Sequence, residues 1–226
     1  MGSEVNTVEK RPFPQEVLKL IACIAMLIDH IGAVLFPQYP LLRILGRIAF
    51  PIYCFLLAEG VFYTKSPSTY ILRLLLLAIL SELPFDLSVA GRITFRYQNV
   101  MVTLFLGVCM GFAMKKSPMW LKPVLILPFA LVAKFLRTDY GAMGIVIIAL
   151  FLLTRQMPQR LPLQTVGLLL IQLCFSANNV QHCALAAMIP ISLYSGQKLT
   201  NSGVAQWSFY LFYPAHLLIL WLLRAG

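Results

Sequence analysis

Three residues of one apolar run, "KLIACIAMLIDHIGAVLF", carry groups that do chemistry: Lys19, Asp29 and His30. Histidine takes and gives protons near neutral pH, and a carboxylate such as Asp29 can fix its tautomer or raise its basicity. Lys19 and His30 stand eleven residues apart. At 100° per residue that is three turns and about 20°, so a helix presents both on one face. Their Cα atoms are then about 16 Å apart, roughly half the hydrocarbon thickness of a bilayer. Lys19 falls in the inner leaflet and His30 in the outer half. Lys19 alone also fits a snorkelling lysine, and Asp29 with His30 also fits a helix end. "IGAVLF" after them keeps the pair inside the apolar run.

Other polar groups are expected at the depth of His30. Arg43 and Arg47 are four apart, as are Glu82 and Asp86, so each pair shares a helix face. Asn99 with Thr103, and Asp139 with Tyr140, open two further apolar runs. A charge at bilayer depth costs on the order of 2.5–3.5 kcal/mol by insertion scales, so these groups should face inward and pair. The plain structural expectation is a network of Arg43 and Arg47 with Glu82 and Asp86. Arg47 or Asn99 can alternatively stabilise a developing oxyanion. Glu59, Tyr140 and His216 complete the candidate polar cluster. His216, beside Pro214, suits a packing hydrogen bond as well as a site role, and His182 reads as a surface residue.

The elements that hold these groups follow from composition. Hydrophobic residues make up 60% of the chain and charged ones 12%, and mean hydropathy is +0.82. Those values exclude an ordinary soluble globular domain and predict an integral membrane protein. A spanning helix takes roughly 20 apolar residues. With that ruler the chain divides into about nine runs: 16–36, 41–63, 69–86, 99–114, 119–135, 140–154, 161–176, 180–195 and 206–223. The expected architecture is all-α, a polytopic membrane helical bundle of about nine transmembrane helices. Residues 1–15 read as a cytoplasmic tail without a cleavable signal pattern, and 16–226 as a single domain. Placing the N-terminus in the cytoplasm puts Lys10, Arg11, Lys65, Lys115, Lys116, Lys122, Arg155, Arg160 and Lys198 inside. Arg92, Arg96, Lys134, Arg137 and Arg224 then lie outside, a bias that agrees with the positive-inside rule. The net charge of +10 is spread between apolar runs. That suits membrane lipids rather than nucleic acid. Five cysteines stand singly within apolar runs, with no metal-ligand spacing, and read as packing residues.

In order and spacing, "KLIACIAMLIDHIGAVLF", "LRILGRIAFPIYCFLLAEG", "SELPFDL", "YGAMGIV" and "FYLFYPAHL" resemble the TraX family of membrane proteins, named for the enzyme that N-acetylates conjugative pilin. The resemblance runs from about residue 16 to 223. It extends to a wider group, the acyltransferase-3 proteins and the lysosomal heparan-glucosaminide N-acetyltransferase. These share a basic residue, ten intervening residues and a histidine on the first helix. Here the element reads Lys19 to His30, with lysine where the acyltransferase-3 pattern has arginine. The charge is kept and the bidentate fork is lost.

The resemblance implies an acetyltransferase of the bacterial inner membrane that uses cytoplasmic acetyl-CoA as donor. Lys19, Lys65, Arg73, Lys115 and Lys116 would counter the CoA phosphates. His30 would act as general base on an acceptor amine or hydroxyl, or as an acetyl-carrying nucleophile. A pilin-like protein or an envelope glycan would be the acceptor. Two other classes compete: a proton-coupled permease in which the buried charges form a relay, and a non-catalytic assembly partner for a pilus or envelope complex.

Overall fold

A computed structural model describes residues 12–94, 96–175, 179–200 and 202–225. Most of the expected tail lies outside them. The described residues form an all-α bundle whose elements follow the apolar runs, with boundaries set by proline and glycine. The first helix, α1 (Gln15–Val34), starts after Pro14 and carries Glu16 in its first turn, where the helix dipole favours an acid. Next come α2 (Pro40–Gly46) and α3 (Ala49–Tyr63). The run 41–63 is therefore interrupted at Arg47 and Ile48. Pro51 explains the interruption, because it has no N–H to offer the Arg47 carbonyl and its ring crowds that position. The helix α4 (Pro67–Ala90) passes through Pro84, outruns the expected end at 86 and stops at Gly91, whose φ of 69° is left-handed.

Asn99 caps α5 (Val100–Lys116) by accepting from the Met101 N–H at 2.9 Å. Of the run 119–135, only α6 (Ile126–Phe135) is α-helical, after a 3-10 turn at Met119–Leu121 and Pro123. Two shorter apolar helices follow, α7 (Gly141–Thr154) and α8 (Arg160–Phe175). The eighth run is broken into α9 (Asn179–His182), a 3-10 turn at Cys183–Ala187 and α10 (Met188–Ser192). The last helix, α11 (Gly203–Ala225), contains Pro214.

Packing places α1 against α2, α3 and α11, while α4 lies between α5 and α11, and α7 sits among α3, α5, α6 and α8. The core includes Leu18, Ile52, Leu77, Met110, Ile145, Ile148, Phe151 and Leu217, all nearly inaccessible. Small residues allow close approach: a Cβ on Gly107 would meet Ile148 at 2.4 Å, and one on Gly144 would meet Thr103 at 2.7 Å.

Apolar residues also face outward, among them Ile79, Leu80 and Leu83 of α4, Leu127 and Leu131 of α6, Leu170 and Leu173 of α8, and Ile219 and Leu222 of α11. So broad an outward apolar surface suits association with a membrane. By length and composition, two helical stretches among the described residues can cross one: Gln15–Val34 and Pro40–Tyr63.

Candidate functional site

At the end of the bundle where α1 meets α2, two guanidiniums converge on one carboxylate. Arg43 Nη1 donates to Asp29 Oδ2 at 2.5 Å and to the Asp29 backbone carbonyl at 3.1 Å. Arg47 Nη2 reaches Oδ2 and Oδ1 of Asp29 at 2.5 and 2.6 Å, and its Nε reaches Oδ1 at 3.2 Å. Gly46 makes this possible, since a Cβ there would stand 2.2 Å from the Asp29 Cβ. A fourth contact of Arg47 runs from its Nη1 to Gln181 Oε1 at 3.3 Å. Tyr140 stacks face to face on Phe50 at 3.6 Å, with the Arg47 guanidinium 5.9 Å from its ring.

This corrects the network expected from spacing alone. Glu82 accepts from Asn99 Nδ2 at 2.5 Å, and Asp86 accepts from the Thr94 N–H and hydroxyl at 2.7 and 3.1 Å. The reason is geometric: α2 folds directly back on α1, whereas the α4 carboxylates face the start of α5 and the loop before it. Asn99 is likewise no free oxyanion donor, because its amide also donates to the Ala78 carbonyl at 2.8 Å and both N–H groups are committed. The Arg47 fork is committed to Asp29 in the same way.

Asp29 does not orient His30. The partner is His216, whose Nε2 lies 2.6 Å from His30 Nδ1. His216 Nδ1 lies 2.7 Å from the Phe212 carbonyl. A carbonyl oxygen can only accept, so His216 carries its proton on Nδ1. In the neutral pair its Nε2 must accept, and His30 must donate from Nδ1. His30 Nε2 is thereby left unprotonated, the state a general base requires. The Tyr213 ring lies 6.1 Å from that of His30 and 5.7 Å from that of His216.

A cavity of about 430 Å³ leads toward this pair from the opposite end of the bundle. Its lining includes Lys19, Lys65, Arg73 and Lys198 among its cations, and Met26, Met101, Leu104 and Tyr213 toward the histidines. Tyr53, Tyr70 and Tyr210 add aromatic walls. The start of α1 is tied to the segment that carries Lys198: Phe13 N–H donates to the Leu193 carbonyl at 3.0 Å, and Leu199 N–H to Glu16 Oε2 at 2.9 Å. Glu59 lines the same cavity and pairs with Arg155 at 2.7 Å. Arg155 in turn lies over the Phe62 ring at 3.8 Å.

Two cations expected at a phosphate site stand elsewhere. Lys115 Nζ donates to the last carbonyls of α3, Val61 and Phe62, at 3.2 and 3.0 Å. Lys116 is exposed beside it and outside the cavity lining. Lys198, Tyr210 and Tyr213 were not singled out as site residues from the sequence. For the tyrosines a signal exists in "YLFYPAH", where 210, 213 and 216 recur every third residue and so form one stripe on α11. His182, expected at the surface, is half-buried beside Gln181.

The model of the family described as TraX protein matches residues 14–224. The chain belongs to the TraX family. Among curated relatives of this TraX-family chain is one named "Probable fimbrial assembly protein FimC" of Dichelobacter nodosus, 30% identical over 90% of the chain and 92% of that protein. An uncharacterised protein of Rickettsia prowazekii is 35% identical over 46% of the chain and 38% of its own length. No solved structure matches.

Proposed function

We propose that this TraX-family chain is a membrane-embedded acetyltransferase that moves an acetyl group from acetyl-CoA to an amine or hydroxyl acceptor. It crosses the bacterial inner membrane about nine times with its N-terminus in the cytoplasm, the shorter helices spanning with help from flanking charged and aromatic residues. The observation that carries the reading is a basic mouth and an aromatic cavity that ends at Tyr213, whose ring lies 6.1 Å from that of His30 in a histidine pair with one basic nitrogen. Lys19, Lys65, Arg73 and Lys198 suit the phosphates of CoA, and the tyrosine-lined interior suits its pantetheine arm. Tyr213 separates the deep end of the cavity from His30, so a rotation of that ring admits the thioester.

His30 Nε2 then takes the proton of the acceptor N–H or O–H as the acceptor attacks the thioester carbonyl. The C–S bond breaks, the CoA sulfur leaves, and the proton returns from His30 to the thiolate. His216 holds the Nδ1 proton of His30 and stabilises the imidazolium. The fimbrial name of the Dichelobacter relative favours a pilin-like protein as acceptor over an envelope glycan.

The test uses protein in nanodiscs with acetyl-labelled CoA. Saturable binding with slow label release, lost in His30→Ala while binding persists, is the expected result. Folded wild-type protein that binds no acetyl-CoA would overturn the reading and favour transport; label retained on His30 would make it an acetyl carrier.

A further inference from the structure

The basic mouth of the large cavity holds an anion of its own. Glu16 lines the cavity together with Lys19, Lys65, Arg73, Lys198 and Thr200. The other acid of the lining, Glu59, is bonded by Arg155. Among the described residues Glu16 joins no ion pair, and backbone holds its carboxylate instead. The Leu199 N–H donates to Oε2 at 2.9 Å, and the Thr200 N–H and Glu16's own N–H face the same carboxylate.

The segment that brings these donors is fixed to the start of α1 by main chain alone. Besides the bond from Phe13 to Leu193, the Ser195 N–H donates to the Phe13 carbonyl at 2.8 Å and the Gln15 N–H to the Gln197 carbonyl at 2.9 Å. None of these bonds uses the Glu16 side chain, so the segment keeps its place when the carboxylate leaves. Successive N–H groups that converge on one point form a concavity for an anion. Two ammoniums border this one. Lys19 stands one turn along α1 within electrostatic reach of both Glu16 and Lys198, and Lys198 directly precedes the two donors and is exposed. Glu16 is half-buried and lines the cavity, so the place it fills is open to a solute. One carboxylate thus stands among two ammoniums and converging N–H groups, a setting that favours an anion of higher charge.

We infer that Glu16 occupies, in the free protein, a cradle for the diphosphate of the acetyl donor, and that the diphosphate displaces it. Ten residues of α1 separate Glu16 from Met26 near the deep end, about 15 Å along the axis. The pantetheine arm runs along that wall, with its thioester deep and its diphosphate at the mouth. Glu16 is then a built-in competitor. Its displacement lowers the affinity of any anion, so a ligand binds tightly only when it adds contacts along the cavity, and small phosphates are rejected. The inference rests on the acetyltransferase reading for the identity of the donor; the displaceable carboxylate does not depend on it.

Glu16→Gln separates the outcomes, because its amide oxygen still accepts from Leu199 while the charge is gone. Binding of acetyl-CoA and of inorganic pyrophosphate to the full chain in nanodiscs is measured for the wild type and Glu16→Gln at two ionic strengths. The variant should bind both ligands about 3–10-fold more tightly at low salt, with a smaller gain at high salt. Unchanged or weaker binding of both by folded Glu16→Gln would overturn the cradle and make Glu16 a structural clasp. Infrared difference spectra keep the test independent of the variant's folding: pyrophosphate added to the wild type should shift a carboxylate stretch as Glu16 leaves its N–H donors. No carboxylate change at saturating pyrophosphate would overturn displacement. Tighter pyrophosphate binding in Glu16→Gln without acetyl-CoA binding by either protein would remove the transferase and leave the cradle standing.

Discussion

The two ends of this bundle use cations in opposite ways. At one end Lys19, Lys65, Arg73 and Lys198 border a wide cavity, and Glu59, the acid lining it deeper, is already paired with Arg155. At the other end Arg43 and Arg47 are locked onto Asp29 at hydrogen-bond distance in a half-buried cluster. The comparison teaches that charge alone does not mark a ligand site in an apolar chain. What marks it is whether donors remain after the fold has taken its share. In a low-dielectric surrounding the fold takes most of them, because an unpaired buried charge costs several kcal/mol.

The sharpest way to break this contrast is to remove the shared carboxylate. Asp29→Ala removes the carboxylate that both guanidiniums bond and leaves them only the more distant charge of Asp139. It is expected to cost about 3–5 kcal/mol, the range for breaking a buried pair by removing one partner. The thermal unfolding midpoint in nanodiscs should fall steeply. If it stays within a degree of the wild type, the Arg43/Arg47 cluster is not structural and the contrast between the two ends collapses.

Next in size is the histidine pair. His216→Phe keeps an aromatic ring of similar bulk at the position and removes the acceptor for the His30 Nδ1 proton. Acetyl transfer should fall about 10–100-fold, by analogy with the loss of a partner that orients a metal-bound histidine. Acetyl-CoA affinity should not change, because His216 is not part of the cavity lining. A fall in affinity with turnover intact would place His216 in binding rather than in positioning His30.

These effects also locate what a reader of the sequence can and cannot see. Apolar runs and proline positions give most helix limits, since both act locally: Pro14 before α1, Pro40 and Pro67 at helix starts, Gly91 at a helix end. Even the break at Arg47 follows from Pro51, although hydropathy carries straight across it. Partner choice is different. Spacing puts Arg43 with Arg47 on one face and Glu82 with Asp86 on another, but which faces meet depends on the turn at residues 35–39 and on Gly46, a tertiary fact. Asp29 was therefore matched to its sequence neighbour His30, while its real partners come from α2. His216 was visible as a buried histidine; that it pairs with His30 across 186 positions was not.

Smaller effects sharpen the contrast at the mouth. Lys65→Gln and Arg73→Gln should each weaken acetyl-CoA binding about 3–10-fold at low salt, with the difference shrinking as salt rises, because these are accessible charges facing phosphate. Binding isotherms at two ionic strengths check this. Salt-independent losses would mean that the two residues shape the cavity instead of countering charge.

The smallest expected effect belongs to Lys115, a cation close in sequence pattern to the others and different in placement. Its ammonium sits on the closing carbonyls of α3 and near the Phe62 ring, at 5.7 Å from the centroid. A cation at a helix C-terminus is worth about 0.3–1 kcal/mol. Lys115→Gln should therefore lower the unfolding midpoint slightly and leave acetyl-CoA affinity where it was. If the affinity drops as far as in Lys65→Gln, the basic mouth extends beyond the cavity lining. The CoA phosphates would then reach across the end of α3, and the distinction between spent and unspent cations would have to be drawn one helix turn further out.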